Sequence, residues 1–246
     1  MPIIPHITRA EYDALPGINW SALKQGIGRT SAHIAAARAG RPDKPAFKFG
    51  RAFHHSVLQP DLMTEWTIVD GKTTTKPNAI TTAELADIQA MTANAAALHE
   101  GKLSHIECAV TWQTDGIACK ALIDAIWDGN WLLDLKSTQN AEGAAMKGEI
   151  VRFKYHGQCA WYLDGLAANG LELHGAAILA VEKAAPYAAG FYFLNDEWIS
   201  IGRNLYRDAL TVYEQPPCAL YGKQDLDVPE WASGGLTENE EGGIDL

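Results

Sequence analysis

The sequence predicts an α/β domain whose central mixed sheet contains an antiparallel meander and is flanked by helices. Three observations carry this expectation. Strand-like apolar runs at 106–113, 117–126 and 131–136 are separated by the turn pairs Asp115-Gly116 and Asp128-Gly129, as in sequential antiparallel strands. Segments of helical pattern bracket them, at 82–100 and 152–169. Further strand-like runs at 175–181 and 190–194 then return the chain to a sheet.

Taken in order, residues 1–45 hold five prolines (Pro2, Pro5, Pro16, Pro42 and Pro45) and read as an irregular wrapping segment with helical patches near 21–24 and 31–39. Residues 47–58 mix apolar side chains with Gly50, His54 and His55, and Pro60 ends a helix there. The polar stretch 70–78 reads as an exposed loop. Thr81-x-x-Glu84 is a capping-box pattern, and Gly101 marks the other end of that helix. The meander follows, then a helix over 152–169 that stops at Gly170, the two later strands, and a closing helix over 196–213. No segment repeats at a fixed period, which excludes solenoids and propellers. Residues 1–224 are expected to form a single domain. Residues 225–246 form an acidic, glycine-bearing tail with too few apolar groups to offset its ordering entropy, so it is expected to be mostly disordered.

At 246 residues the chain can bury a full core, and its formal charge of −10 argues against indiscriminate coating of nucleic acid. The charge is uneven. Seven acidic residues and no lysine or arginine lie beyond Lys223, which leaves a formal charge of −3 for residues 1–224, so a local basic groove remains open to the body. No apolar run approaches the roughly 18 residues of a membrane span, and residues 1–9 lack the pattern of a signal peptide. The expected setting is the cytoplasm, away from membranes. Cys108, Cys119, Cys159 and Cys218 lack C-x-x-C spacing, which argues against a zinc ribbon or disulfide framework.

Several motifs fail on inspection. Gly71-Lys72-Thr73 imitates a phosphate-binding loop, but Trp66 stands where its first glycine belongs, so ATP use is not expected. Gly26-Ile27-Gly28 is followed by Ser31 in place of the third glycine of a dinucleotide site. His105-Ile106-Glu107 has the H-x-E of zinc deaminases, but Tyr221 replaces the second cysteine after Cys218.

One constellation survives. A two-residue turn at Asp115-Gly116 sets Thr114 opposite Ile117, and counting outward puts Glu107 across from Asp124. Lys120, Leu122 and Asp124 alternate onto one face. Asp134 and Lys136 share a face of the next strand, with Leu133 and Leu135 turned to the core. Asp124, Asp134 and the Leu135 carbonyl can then offer oxygen ligands to Mg²⁺ or Mn²⁺ beside a lysine. Such a cation activates water and neutralises charge at a phosphoryl centre, and the lysine steadies the developing charge. The plainer reading is a pair of strand-end acids salt-bridged to lysines.

Asp124, then Asp134-Leu135-Lys136, then Gln158-x-x-x-Tyr162 on a helix resembles the PD-(D/E)XK nucleases of the RecB type, and Gly50-Arg51-Ala52-Phe53-His54 resembles their upstream G-x-x-x-H. The segment Pro16-Gly17-Ile18-Asn19-Trp20-Ser21 and the run 49–60 narrow the resemblance to RecE-like exonucleases of phages and prophages, over about residues 10–214. The resemblance implies the PD-(D/E)XK fold, with His54, Asp124 and Asp134 around the metal and Lys136 as catalytic lysine. It places Gln158 and Tyr162 near the DNA strand, with Tyr155 one turn earlier on a similar face. Glu107 matches a family acid and becomes an outer or second-metal ligand. His54 is preferred to His55 by the G-x-x-x-H spacing. The implied activity is Mg²⁺- or Mn²⁺-dependent 5′ to 3′ degradation of double-stranded DNA from its ends. Its implied setting is a bacterial host's cytoplasm, with homo-oligomerisation and a single-strand-annealing recombination protein as partner. The cysteine spacing departs from the iron–sulfur branch of the superfamily, so no cluster is expected.

Overall fold

The computed structural model describes residues 3–40, 45–71, 76–222, 237–238 and 244–245. A short strand, β1 (Ile3–Ile4), precedes helix α1 (Arg9–Ala14), which Thr8 and Glu11 open with a reciprocal capping box. Strand β2 (Ile18–Asn19) leads into α2 (Trp20–Leu23), where the Asn19 side chain accepts the Ala22 N–H, and α3 (Ser31–Arg38) follows. Helix α4 (Pro45–Leu58) carries both adjacent histidines and stops before Pro60. The predicted loop 70–78 joins two parallel strands, β3 (Thr67–Val69) and β4 (Ala79–Thr81), and its residues 72–75 lie outside the described residues. Helix α5 (Thr82–His99) has both bonds of the Thr81–Glu84 capping box and ends at Glu100, whose φ of 53° is left-handed. Strand β5 (Leu103–Ser104) follows.

The meander forms, but two sheets share it. Strands β6 (Cys108–Thr114) and β7 (Ile117–Ile123) pair antiparallel from Thr114↔Ile117 to Cys108↔Ile123, the register the turn predicts. They form a four-stranded sheet of order β1-β6-β7-β2. The expected single strand over 117–126 breaks at Asp124, and β8 (Ala125–Trp127) passes into another sheet with β9 (Trp131–Thr138), β10 (Gly175–Glu182) and β11 (Ala189–Leu194). Its order is β11-β10-β9-β8-β5, with β9 and β10 parallel and the other neighbours antiparallel. Asp124 makes the break possible. Its carbonyl accepts the Glu107 N–H at 2.9 Å and its carboxylate accepts the Leu135 N–H at 2.7 Å, so both flanking backbones are satisfied without a continuous ladder.

The predicted helix over 152–169 is also two helices. Helix α6 (Gly143–Phe153) starts nine residues earlier, and α7 (Tyr155–Ala167) follows it across Lys154, whose φ is 62°. Helix α8 (Asp196–Glu214) begins at the Asn195 cap. Side-chain alternation divides the core across the five-stranded sheet. Leu132 and Ile178 join the cluster of Trp161, Ala160 and Leu210 from α7 and α8, whereas Leu133, Leu135 and Leu179 join that of Phe53, Ile88 and Met91 from α4 and α5. Helices α7 and α8 approach closely at Gly202, where a Cβ would lie 2.3 Å from the His156 carbonyl oxygen. Among the described residues no helix is long and apolar enough to cross a membrane. Of the acidic tail, Thr237–Glu238 and Ile244–Asp245 pair as short antiparallel strands, and the rest lies outside the described residues.

Lys120, placed by alternation on the face of Asp124, has another task. Its ammonium donates to the carbonyls of Tyr12, Asp13 and Leu15 at 3.0, 3.1 and 2.7 Å, and the side chain is buried. It fastens the end of α1 to β7, where a cation also suits the helix C-terminus. Lys120→Met keeps most of the stem volume and removes all three donors. We expect it to cost at least about 2 kcal/mol, the scale of hydrogen bonds to a charged group. This is read as a lower urea midpoint at constant slope. An unchanged midpoint would show that the tether adds no stability.

Candidate active site

The break at Asp124 is also where the titratable groups gather. His54 projects from α4, Glu107 stands just before β6 with a left-handed φ of 47°, and Asp124 sits between β7 and β8. His54 Nδ1 lies 3.7 Å from Asp124 Oδ1 and 3.9 Å from Glu107 Oε1. Both are ion-pair distances, longer than a hydrogen bond, so the three polar groups converge on one point as charged neighbours. Among the described residues, His54, Glu107 and Asp124 form the group of three potential ligands, with ligand atoms within 4.8 Å of one another. Burial pushes the Asp124 pKa up and nearby Glu107 adds to the rise, against the pull of His54, Lys136 and the Leu135 N–H. Burial opposes charge on His54, but Asp124 and Glu107 outweigh it and raise its pKa.

Asp134 and Lys136 face the same region from β9 and engage α7. The Lys136 ammonium lies 2.6 Å from Asp134 Oδ2, and Asp134 is 1% exposed. Gln158 Nε2 donates to Asp134 Oδ1 and to the Tyr162 hydroxyl oxygen, both at 3.0 Å. The Gln158–Tyr162 pair, one helical turn apart, thereby fixes the Asp134 carboxylate. Lys136 also stands 4.9 Å above the Tyr155 ring. Burial disfavours a charged Lys136, yet Asp134 and Asp124 outweigh it and hold its pKa above the ordinary lysine value. It stays an ammonium, suited to donating hydrogen bonds and stabilising negative charge and unsuited to acting as a base. Burial raises the Asp134 pKa, and Lys136 works against that rise.

The family of the chain is decided by its sequence across this fold. Residues 20–216 match the family described as "PDDEXK-like domain of unknown function (DUF3799)". The chain belongs to this PDDEXK-like family. It is therefore a member of the PD-(D/E)XK nuclease superfamily, and the mixed sheets flanked by helices are that superfamily's fold. A crystal structure described as "Putative exonuclease" from Eubacterium rectale superposes with a TM-score of 0.62 at 14% identity, covering 91% of this chain and 96% of that one. That likeness shows the fold. The crystal structure of SSO0001 aligns at a TM-score of 0.33 and 16% identity over 55% of this chain and 62% of that one. No curated protein matches the chain in sequence.

Within this PDDEXK-like domain the predicted residues divide into two groups. His54, Glu107 and Asp124 point at one another. Asp134, Lys136, Gln158, Tyr162 and Tyr155 form a connected set on β9 and α7, joined to the first through the Asp124–Leu135 bond. Of the Leu135 peptide, the N–H is the group bonded to Asp124. His55 turns the other way and accepts the Trp66 indole N–H at 3.1 Å. The donors fit a hard divalent cation: one imidazole nitrogen and carboxylate oxygens. A cleft of about 730 Å³ lined by Ile3, Leu58, Pro60, Ile106 and Cys108 includes none of these side chains, so cavity size does not locate the chemistry.

Proposed function

We propose that this chain is a metal-dependent exodeoxyribonuclease that degrades linear double-stranded DNA from an end, 5′ to 3′, in the manner the RecE-like resemblance implies. The observation that carries the reading is the convergence of His54, Glu107 and Asp124, from three separate elements, beside the Asp134–Lys136 pair. His54, Asp124, Asp134 and the Leu135 carbonyl would hold Mg²⁺ or Mn²⁺, with Glu107 as an outer or second-metal ligand. Such a cation supplies an activated water and neutralises charge on the phosphate. The Lys136 ammonium donates to the attacking water or to a phosphoryl oxygen as negative charge grows there. Gln158 and Tyr162 keep Asp134 in place. The 5′ to 3′ polarity, assembly of several copies around DNA, a single-strand-annealing partner and a phage or prophage origin within a bacterial cytoplasm complete the proposal.

The test compares end-labelled linear duplex with a closed circle, in Mg²⁺ and in EDTA. We expect progressive loss of the linear 5′ label in Mg²⁺, an intact circle, and no cleavage in EDTA. Cutting of the circle would make the enzyme an endonuclease. Binding without cleavage of either DNA would make it a silent DNA-binding protein of the same fold.

A further inference from the structure

The α6–α7 junction carries a ladder of rings and cations that leads from the surface to Lys136. The Arg152 guanidinium carbon lies 5.1 Å from the Phe153 ring centroid. Phe153 and Tyr155 have centroids 5.6 Å apart and planes inclined by 28°, a stacked pair. Lys136 stands over the inner ring, Tyr155. On a continuous helix, side chains two apart diverge by about 200°, so Phe153 and Tyr155 could not stack. The left-handed Lys154 between them removes that divergence. Phe153 nevertheless remains 39% exposed. The segment that carries the ring is cationic in sequence: residues 143–155 hold Lys147, Arg152 and Lys154 against one acid, Glu149, which is close enough to act on Tyr155, whereas residues 1–224 as a whole carry −3.

We propose that Phe153, backed by Tyr155 and flanked by Arg152, is the stacking platform for an unpaired base of the DNA strand whose phosphodiester lies at Lys136. The inference rests on the nuclease reading for what lies at Lys136, and it names a single-stranded DNA segment as the occupant. An exposed aromatic face takes any base, because every base presents a π-surface, while neighbouring lysines and arginines meet its phosphates. The ladder is continuous with the Lys136 site, so a strand seated on Phe153 is led toward that lysine. Arg152 covers the ring until a base arrives and then turns to the adjoining phosphate, a use to which guanidinium is suited.

The test is fluorescence anisotropy of a labelled single-stranded 12-mer with the full chain in EDTA at low salt. Phe153→Ala should weaken binding about 5- to 150-fold, the loss of one base–aromatic stack. Phe153→Trp should stay within about threefold of the wild type, and Phe153→Leu should fall with the alanine variant. A 12-mer made abasic along its length should bind the wild type and Phe153→Ala equally. Wild-type affinity in Phe153→Ala overturns the proposal, as does retained affinity in Phe153→Leu, which would mark apolar packing in place of stacking. Absence of any binding by the wild type overturns it too. Mg²⁺-dependent hydrolysis of bis(4-nitrophenyl) phosphate by the wild type reads the metal centre separately. Failure there counts against the nuclease reading and leaves the oligonucleotide result to decide the platform.

Discussion

Asp124→Asn is expected to abolish DNA cleavage while leaving the fold nearly as stable as the wild type. The two oxygens of Asp124 have separate tasks. Oδ2 accepts the Leu135 N–H at 2.7 Å, and Oδ1 faces His54 at 3.7 Å. An asparagine keeps one carbonyl oxygen for Leu135 and turns an NH₂ toward His54, so it preserves the break between the sheets and loses the ligand. Asp124→Ala loses both. It leaves the Leu135 N–H without its acceptor in a buried setting, which costs about 1–3 kcal/mol. Mn²⁺ affinity should fall by more than about 10-fold in both variants, since even outer-shell changes reach that size. Only alanine should lower the urea midpoint strongly. Asp134→Ala should also abolish cleavage, because it frees Gln158 and Lys136 from the carboxylate that orients them. Calorimetric Mn²⁺ titration, single-turnover cleavage and urea unfolding of the three variants check this. Wild-type cleavage by Asp124→Asn would remove Asp124 from the chemistry.

What the sequence disclosed of this arrangement was the part set by local rules. The Asp115-Gly116 turn fixes the register of β6 and β7, and one step beyond the last pair, Cys108↔Ile123, the Glu107 N–H meets the Asp124 carbonyl. The Thr81-x-x-Glu84 box likewise marks α5. Thr8-x-x-Glu11 carries the same signal and would have identified α1 within the segment read as irregular. Helix α6 gives less warning: Glu142 makes no side-chain cap, and Gly143 and Gly148 lower the propensity of its residues. The break at Asp124 depends on Leu135, eleven residues away, and the tether of Lys120 on carbonyls more than a hundred residues away. Alternation assigns a face to such side chains and says nothing of their partners. For that reason Lys120 reads as a neighbour of the site when it is a fastening for α1. The adjacent histidines show the converse. The G-x-x-x-H spacing singles out His54, and the structure adds the reason that His55 is occupied, its Nδ1 being bonded to Trp66.

Lys136→Met should separate chemistry from metal binding. The methionine retains most of the stem that packs over Tyr155 and removes the ammonium that stands 2.6 Å from Asp134 Oδ2. That ammonium competes with a cation for the carboxylate, so Mn²⁺ affinity should equal or exceed that of the wild type, opposite in sign to the Asp variants. Single-turnover cleavage at saturating Mn²⁺ should nonetheless fall by orders of magnitude, since the lost group acts on the water or on charge that develops in the transition state. Stability supplies an independent check. Asp134 is buried, and breaking a buried pair typically costs about 3–5 kcal/mol. Protonation offsets part of this, because burial already raises the Asp134 pKa and Lys136 is the leading influence against it. The urea midpoint should therefore drop in EDTA and recover on adding Mn²⁺, which replaces the missing positive charge. Near-wild-type cleavage by Lys136→Met, or Mn²⁺ affinity that falls as in Asp124→Asn, would show that Lys136 serves only to hold Asp134.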